Sequence, residues 1–510
     1  MKKKEPIKLV VWGTGGLATN TLSYNQAWLK AVDIVCFVSN SHKLGEEEIF
    51  DGKPVVAPEE LVNIEWDYIT IFSTYVDEIH EQIINELKLP EDRIVSLEEL
   101  AQKVVEYNDV NIIGKDVLLY GENYNTDNYV YHIRKRVKSL RIITNGIEEK
   151  ISGVKAMDIN EIKHAEFDYI LLLSLEDKVE EKLIKQIYDS GYDVESKILR
   201  LSQWSCNLAL DYKLLRNTEG KFYYAIVGRP TWGLMALFTE FMRASAHATE
   251  LGYIPFIDMK NSANMYLEEK KLGIENAWEY YFTQPKDAFG KNLEEIYENE
   301  NVVIPSKFLR IKKNRNLVER KDTLENLRNI YHNNYKIQDC AMEKIFPEYQ
   351  RVFGKLSEEN VLGVIYRGTD YKNINPANHY IQPDLEEYID ICKKYMKKWK
   401  CERIFIATED ADALEVFKGE FKEKLLFINQ LRYNNTGDKF LFQINNKRKD
   451  DKYLRGIEYL TALYCLTQCD YLVSGRHGGL NGVLVLKEEA YQEVYIFNKG
   501  KYANNNKRFS

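Results

Sequence analysis

Cysteine is scarce in this sequence of 510 residues, and the patterns that usually give it a structural role are missing. The seven cysteines are an odd number, they are scattered, and no two of them form a Cys-x-x-Cys pair. This distribution argues against a disulfide framework and against a structural zinc site, and it is typical of free thiols in a reducing compartment. We therefore expect a cytoplasmic protein.

Long apolar runs and an excess of positive charge are also missing. No apolar stretch approaches the ~20 residues that cross a bilayer, and the basic start leads at once into a strand at Ile7–Trp12 rather than into the apolar core of a signal peptide. The 70 Lys and Arg residues are outnumbered by 78 Asp and Glu residues, which gives a net charge of −8. Because nucleic-acid-binding domains are usually basic, we expect neither a nucleic-acid partner nor a transmembrane segment.

The first part of the chain contains one pattern of strands and helices twice. The segment Asp67–Ser73 (DYITIFS) is echoed 101 residues later by Asp168–Ser174 (DYILLLS), and the flanking segments repeat with a similar offset. An offset that holds through several segments indicates a duplication. Because apolar strands alternate with amphipathic helices, the sequence predicts parallel sheets covered by helices. We therefore predict an α/β fold that starts with two tandem small Rossmann-like domains, at residues 1–108 and 109–210.

A glycine-rich turn follows the first strand, with Gly13, Gly15 and Gly16. It approximates the G-x-G-x-x-G/A pattern, in which backbone N–H groups meet a phosphate at a helix N-terminus. The second strand ends in Ser39 and Asn40, where an NAD-binding fold usually has an acidic residue for the ribose. Three interpretations stay open: a scaffold or interaction module, a second nucleotide site that binds a nucleotide-sugar, and a redox domain.

The first repeat also resembles a known family. Its glycine turn, the later Gly52-Lys-Pro-Val55 and the pair Asp67-Tyr68 follow the order of a similar pattern in the N-terminal nucleotide-binding domain of bacterial sugar O- and N-acyltransferases. The resemblance covers this repeat, and it implies a nucleotide-binding domain.

A new alternation of strands and helices starts near residue 220, and three of its later strands end in polar clusters. Ligands of open α/β sheets bind outside the carboxyl ends of the strands, so three such ends together predict a site. The residues at these ends are Arg367, Thr369 and Asp370 after the first strand, Glu409 and Asp410 after the second, and Ser474, Gly475, His477, Gly478, Gly479 and Asn481 after the third.

These side chains suit a nucleoside diphosphate. Arg367 can place two hydrogen bonds on phosphate oxygens and stays charged. The turn at 475–481 offers successive backbone N–H groups and a positive helix end to a diphosphate, and an earlier turn at Gly233 has the same character. Glu409 or Asp410 can accept hydrogen bonds from a base or a ribose.

Several segments of this half resemble motifs of the fucosyltransferase superfamily, in the same order and with similar spacing. Gly363–Tyr371 (GVIYRGTDY) is similar to the first motif of the α1,6-type and nodulation fucosyltransferases, and Ile404–Asp410 (IFIATED) to a Tyr-Leu-Ala-Thr-Asp-Asp segment. Cys469–Ser474 (CDYLVS) is similar to the strand before the last motif. Trp232–Leu234 and Trp278–Phe282 look like the start of the first catalytic domain.

The resemblance implies a GT-B pair of Rossmann-like domains, at residues 220–355 on the acceptor side and 356–510 on the donor side. It also implies GDP-fucose as the donor, no metal, no other cofactor, and transfer with inversion to a glycan acceptor. By position, Arg367 would bind the β-phosphate and stabilise the leaving GDP. Asp410 would lie near the guanine or the ribose, and residues 475–479 near the phosphates.

The chain departs from the family's motifs at a few positions. Ile365 stands where a His is usual, Gly368 where a second Arg is usual, and Tyr371 where a Lys is usual. In the last motif, His477–Gly479 replaces Ser-Ser-Gln. We therefore expect GDP-fucose or a related nucleotide-sugar as the donor.

An inverting transfer benefits from a general base that takes the proton of the acceptor hydroxyl. The candidates are Asp370, His379 and His477, and a carboxylate can serve if burial raises its pKa.

Together with this resemblance, the sequence predicts a metal-independent inverting glycosyltransferase of bacterial surface-glycan synthesis, which would associate with other glycan-biosynthesis enzymes. Two alternatives stay open. One is a different nucleotide-sugar enzyme that uses the front domains for its substrate, and the other is a non-catalytic protein that binds glycans or nucleotide-sugars.

Overall fold

The protein is described by a computed structural model. It describes residues 5–73, 75–122, 126–145, 150–151, 153–218, 220–228, 231–307, 321–356, 359–369, 374–376, 379–434, 436–437, 439–444 and 446–502. The chain divides into two compact units, Met1–Leu214 with Val303–Arg315 and Leu215–Val302 with Asn316–Ser510. Both units are α/β structures in which parallel strand pairs predominate, as predicted. Predicted Asp370 and Tyr371 lie outside the described residues, and the four predicted domain boundaries stay a prediction.

The first unit contains the elements of both predicted repeats. Its strands are β1 (Ile7–Trp12), β2 (Val32–Val38), β3 (Glu48–Phe50), β4 (Lys53–Val56), β5 (Tyr68–Ile71), β6 (Asp116–Tyr120), β7 (Ser139–Thr144), β8 (Lys150–Ile151), β9 (Val154–Asp158), β10 (Tyr169–Leu172), β11 (Ile198–Leu199) and β12 (Tyr212–Leu214). Its helices are α1 (Gly16–Leu29), α2 (Val76–Glu81), α3 (Leu97–Asn108), α4 (Thr126–Arg134), α5 (Asp177–Asp189) and α6 (Leu201–Trp204).

The two sheets of this unit have the same topology. Their strand orders are β3-β4-β2-β1-β5 and β8-β9-β7-β6-β10-β11. In each sheet the pair at one edge is antiparallel and the pairs between the remaining strands are parallel. Even β11, which pairs with β10 in the second sheet, has a counterpart in the first sheet, where Ile94 bridges to Ile69 of β5. This agreement supports the duplication that the sequence predicts.

One apolar core includes residues of both repeats. Its fully buried members include Trp28 of α1, Val104 of α3 and Trp204 of α6. The indole of Trp204 also donates a hydrogen bond to the carbonyl of Leu172 in β10, at 3.0 Å. Because burying one large apolar side chain contributes about 1.5–3 kcal/mol, this shared core stabilises each repeat through the other.

A buried arginine connects separate segments of the same unit. Arg136 is 2% exposed, and its Nη2 donates to the carbonyl oxygens of Leu210, at 3.0 Å, and Pro305, at 3.2 Å. Its Nη1 donates to the carbonyl of His132 at 3.1 Å. Burial lowers the pKa of Arg136 to about 10, so the guanidinium stays charged at neutral pH and binds the segment around Pro305 to the end of α4.

We expect Arg136→Leu to destabilise the first unit. Leucine leaves the partly buried carbonyl groups of Leu210 and Pro305 without a protein donor, which costs about 3 kcal/mol. The measurement is urea-induced unfolding, with Arg134→Leu as the control, because Arg134 is exposed at the end of α4, two residues before Arg136. Equal unfolding midpoints for the two variants would contradict the role of Arg136.

The second unit contains the elements in which the sequence predicts the site. Its strands are β13 (Phe222–Val227), β14 (Ile254–Asp258), β15 (Asn301–Ile304), in which the division between the units falls, β16 (Val361–Ile365), β17 (Arg403–Ala407), β18 (Leu425–Leu426), β19 (Tyr471–Ser474) and β20 (Glu493–Ile496). Its helices are α7 (Leu234–Glu250), α8 (Leu293–Asn299), α9 (Lys321–Asn334), α10 (Asp339–Phe353), α11 (Leu385–Lys398), α12 (Ala411–Phe421), α13 (Asp451–Thr467) and α14 (Gly478–Leu486).

A five-stranded sheet with the order β18-β17-β16-β19-β20 carries the predicted site. All its pairs are parallel, and its central strand β16 (VLGVI) is buried at every position. Such an apolar run is typical of a parallel strand covered on both faces. Earlier in the chain, β13 and β14 are also parallel. No helix within the described ranges is long and apolar enough to cross a membrane.

Candidate functional site

Three neighbouring strands end at the same level of the sheet, and residues predicted to bind a ligand follow each of them. Ile365 of β16 pairs with Ala407 of β17 on one side and with Ser474 of β19 on the other. The segments that carry Arg367 and Glu409, and the turn after Ser474, therefore start from one edge of the sheet, where ligands of parallel sheets bind.

Arg367 and Glu409 carry opposite charges on adjacent strand ends. Arg367 Nη1 lies 3.9 Å from Glu409 Oε1, a distance that suits an ion pair but exceeds a hydrogen bond. The two side chains are 27% and 21% exposed, so both are accessible from solvent. A guanidinium has five N–H donors, and Arg367 can therefore bind an anion while it keeps its contact with Glu409.

Asp410 joins the turn after β16 to the start of α12. Its Oδ2 accepts the backbone N–H of Thr369 at 3.1 Å, and its Oδ1 accepts that of Ala413 at 2.9 Å as the N-cap of α12. Thr369 has a φ of 42°, a left-handed conformation that β-branched residues rarely adopt. Asp410 thus stabilises a strained turn beside Arg367, and its contact with a guanine or ribose stays a prediction.

The carboxylate of Asp410 also leaves no room for a side chain at Gly368. A Cβ at this position would lie 2.0 Å from Asp410 Oδ2 and 2.9 Å from the ring of Tyr366. A side chain fits only if the Asp410 carboxylate moves away from Thr369. This close approach therefore requires glycine at position 368.

Tyr388 of α11 connects the ends of β16 and β19. Its hydroxyl donates to the carbonyl of Ile365 at 2.8 Å and accepts the backbone N–H of Gly475. Full burial raises the pKa of Tyr388 well above its ordinary value, so the phenol keeps the proton that it donates. Gly475 in turn has no room for a side chain, because its Cβ would lie 2.3 Å from Gln382 Oε1.

His477 is the N-cap of α14, because its Nδ1 accepts the backbone N–H of Gly479 at 3.1 Å. Burial, together with the positive charge of Arg367, lowers the pKa of His477 from 6.5 to about 3. Between these two pH values the unfolded chain binds a proton that the folded chain does not, so His477 makes the fold less stable as the pH falls through that window. At neutral pH the ring is uncharged and Nδ1 is engaged, which favours a structural role over the predicted role as general base.

The N-termini of α7 and α14 lie side by side. A Cβ at Gly478 would lie 3.4 Å from the backbone nitrogen of Ala236, and a Cβ at Gly482 would collide with the side chain of Met235. Gly233, predicted to bind the donor, is the N-cap of α7, and no atom lies within 4 Å of the place that its Cβ would take. Two positive helix ends thus occupy one neighbourhood, which favours an anionic ligand.

Tyr266 is a residue of this neighbourhood that the sequence did not single out. Its hydroxyl accepts the backbone N–H of Leu234 at 2.6 Å, so it caps α7 where Gly233 has no side chain to do so. Burial raises the pKa of Tyr266 to about 12, and the nearby charge of Arg367 acts in the opposite direction. The sequence feature that could have identified Tyr266 is its position after β14, at the carboxyl end of a parallel strand.

The remaining predicted residues are less closely connected to Arg367. His379 is exposed; its backbone N–H donates to the carbonyl of Pro376, and its carbonyl accepts the N–H of Tyr502. Asn481 lies half-buried in the first turn of α14. Within the described ranges, no group of three or more His, Cys, Asp or Glu side chains is placed to hold a metal ion, and a mechanism without metal stays a prediction.

The predicted second nucleotide site lies in the first unit, at the N-terminus of α1. Gly13 has a φ of 129°, and its Cβ would lie 2.6 Å from the carbonyl oxygen of Phe72, so the turn requires glycine there. Gly15 is the N-cap of α1, and neither it nor Gly16 has an atom within 4 Å of its Cβ position. The turn is sterically open, and nucleotide binding there stays a prediction.

In both repeats an asparagine after the second strand contacts the aromatic residue that ends the first strand. Trp12 Nε1 donates to Asn40 Oδ1 at 3.1 Å, and the hydroxyl of Tyr120 lies 3.1 Å from Asn145 Oδ1. A glutamine adds a further contact in each case, Gln82 with Asn40 at 2.8 Å and Gln186 with Tyr120 at 2.7 Å. These amide networks occupy the position of the ribose-binding acid of NAD-binding folds, and they argue against the redox interpretation.

Comparison with known proteins gives a family match for the first repeat and similarities in fold for much of the chain. The family model described as C2185-like, N-terminal, matches residues 5–95, and the resemblance of the repeats to sugar acyltransferases stays a prediction. No curated protein matches the chain in sequence.

Among solved structures, the chain is similar to fucosyltransferase NodZ from Bradyrhizobium, with 16% identity over 52% of this chain and 93% of that chain and a TM-score of 0.32. NodZ α1,6-fucosyltransferase soaked with GDP-fucose gives 14% identity over 52% and 92%, with a TM-score of 0.34. POFUT1 in complex with GDP-fucose gives 8% identity over 75% and 98%, with a TM-score of 0.24. Because these similarities are weak, the function is inferred from the side chains of the site.

We expect Tyr266→Phe to weaken the binding of inorganic pyrophosphate about fivefold, because the helix end at Leu234 loses its capping oxygen, an effect of about 1 kcal/mol. Isothermal titration calorimetry gives the affinity. The matched control is Tyr281→Phe, because Tyr281 is buried against Tyr266 and its hydroxyl donates to the carbonyl of Tyr453. Equal affinities of the two variants would rule out a role of Tyr266 in the site.

Proposed function

We propose that this protein is a glycosyltransferase that transfers a sugar from a nucleoside diphosphate to a glycan acceptor. The observation that carries the proposal is the position of Arg367 at the carboxyl end of the central parallel strand, beside Glu409 and the capped helix N-terminus at His477. A positive charge in this place suits the diphosphate of a nucleotide-sugar. GDP-fucose is the donor that we propose, on the strength of the motifs around Arg367 and Asp410.

The reaction places new negative charge on the leaving group. The acceptor hydroxyl oxygen forms a bond to the anomeric carbon, the bond from that carbon to the β-phosphate oxygen breaks, and its electron pair stays on the diphosphate. The acceptor's proton passes to a base. Arg367 stabilises the developing charge, with help from the positive ends of α7 and α14. Because the acceptor attacks opposite the leaving group, the transfer inverts the anomeric centre.

The proton acceptor that we propose is Asp370, with His379 as the alternative. Asp370 follows Thr369 and is therefore close in sequence to Arg367, although it lies outside the described residues. His379 is exposed at the surface. His477 is the weakest candidate, because the ring nitrogen that would take the proton already accepts a hydrogen bond.

The wider role that we propose is the synthesis of a bacterial surface glycan in the cytoplasm, together with other glycan-biosynthesis enzymes. The first unit would serve as an interaction module or bind a second nucleotide-sugar at Gly13, Gly15 and Gly16. The open space at Gly15 and Gly16 supports the second possibility.

We expect Arg367→Ala to lower kcat at least about 100-fold, because a charge that stabilises the leaving group is lost. The variant should also bind nucleoside diphosphate more weakly and stay folded, since Arg367 is partly exposed. The control is Arg403→Ala, because Arg403 lies at the opposite end of β17 and pairs with Glu359 at 2.8 Å. A fully active Arg367→Ala enzyme would refute the proposed function.

A thermal-shift panel of GDP-, UDP-, dTDP- and CDP-sugars identifies the donor, since a ligand that binds the native state raises the melting temperature. We expect GDP-fucose to give the largest shift, and EDTA to leave both the shift and the turnover unchanged. A larger shift with another nucleotide would correct the donor. Binding without release of nucleoside diphosphate in the presence of glycan acceptors would instead indicate a non-catalytic binding protein.

A further inference from the structure

We propose that His477 is a positioning residue, which holds the first turn of α14 in place for the donor's diphosphate by capping the helix in one neutral tautomer. The inference rests on the proposed function, because it assigns the diphosphate to this helix end. It differs from the sequence-based prediction, in which His477 contacts the donor or serves as the general base.

The hydrogen bonds of the ring determine its tautomer. Nδ1 accepts the backbone N–H of Gly479 at 3.1 Å, so Nδ1 carries no proton. In a neutral imidazole the proton must then be on Nε2, which lies 3.3 Å from Ser474 Oγ. Ser474 Oγ donates its own hydrogen to the carbonyl of Gly475 at 2.8 Å. The donor and the acceptor of each of these three hydrogen bonds are therefore fixed.

The electrostatic surroundings favour the same state. Burial and the charge of Arg367 oppose protonation of His477, and its pKa falls to about 3. A protonated ring would bring a second positive charge beside Arg367 and would turn Nδ1 into a donor that faces the N–H of Gly479. The cap therefore exists only in the neutral form.

The ring also has little freedom to move. A Cβ at Gly479 would lie 3.1 Å from the His477 ring and 2.5 Å from the hydroxyl of Tyr459, so the backbone passes closely between the two side chains. Ser474 is fully buried and fixes the other side of the ring. A side chain held at both nitrogens keeps the helix start in one orientation.

The consequence concerns the other amides of the first turn. The first N–H groups of an α-helix have no acceptor within the helix. His477 occupies that of Gly479, and no described residue accepts the N–H of Gly478 or of Leu480. These two amides are the ones that the diphosphate would bind, and the orientation of both depends on the cap.

Two substitutions test the contributions of the two ring nitrogens of His477 separately. The Oδ1 of His477→Asn can take the place of Nδ1 and accept the N–H of Gly479, and asparagine is among the best N-cap residues. The Nε2 of His477→Gln can take the place of the ring Nε2 and donate to Ser474, but it leaves Gly479 without its cap. His477→Ala removes both interactions and provides a second variant without a cap.

The experiment measures the affinity for GDP by calorimetry, the kcat/KM of transfer against pH, and the melting temperature of each variant. We expect His477→Asn to bind GDP within about threefold of the wild-type affinity and to keep the shape of the pH profile. We expect His477→Gln and His477→Ala to bind GDP about tenfold more weakly, as the loss of a cap of about 1.4 kcal/mol implies.

The outcomes distinguish this inference from the proposed function. Equal affinities of the Asn and Gln variants would overturn the positioning role, and so would a lower melting temperature with unchanged GDP affinity in the Gln and Ala variants. Loss of one limb of the pH profile in every variant would overturn it in favour of a general base. If the wild-type protein binds none of the nucleoside diphosphates GDP, UDP, dTDP and CDP, the proposed function itself fails.

Discussion

The parallel register of β16 with its two neighbours is the constraint on which the candidate site depends. Ile365 pairs with Ala407 and Ser474 at the same level, so three chain segments leave the sheet together. Because each residue of a strand advances the chain by about 3.3 Å, a slip of one residue would separate Arg367 from Glu409 by a comparable distance. The hydroxyl of Tyr388 bridges two of these ends and keeps them level.

Burial, with a smaller contribution from the charge of Arg367, sets the protonation states of two neighbouring side chains. His477 is held neutral, and Tyr266 keeps its proton through burial although the guanidinium favours its loss. Glu409 is the acidic side chain that faces Arg367, at 3.9 Å. The site therefore combines the opposite charges of Arg367 and Glu409 with neutral hydrogen-bonding side chains, and its guanidinium can stabilise an anion.

The sequence allowed the strands and the candidate site to be predicted at the level of chain segments. Apolar runs and the polar residues that end them identified β16, β17 and β19, because burial on both faces leaves a plain signature in a parallel strand. The residues that contact those polar side chains could not be predicted from the sequence. Tyr266 and Tyr388 come from distant parts of the chain, and only the tertiary packing brings them to the strand ends.

For the same reason, the type of a residue did not reveal its role in the site. His477 has the chemistry of a ligand or a base, and no pattern in the sequence shows that its Nδ1 caps a helix. Asp410 was predicted to meet a nucleotide, and both of its oxygens accept backbone N–H groups. Position 368 requires glycine for a steric reason that only the position of Asp410 reveals.

The shared core of the first unit has a consequence for biosynthesis. Helix α1 packs against α6, and Trp204 follows Trp28 by 176 residues. At a translation rate of roughly 5–20 residues per second, the apolar face of α1 waits about 10–35 s for its last partner to be synthesised. During that interval the nascent first repeat exposes an apolar surface that chaperones can bind and that can also misassemble.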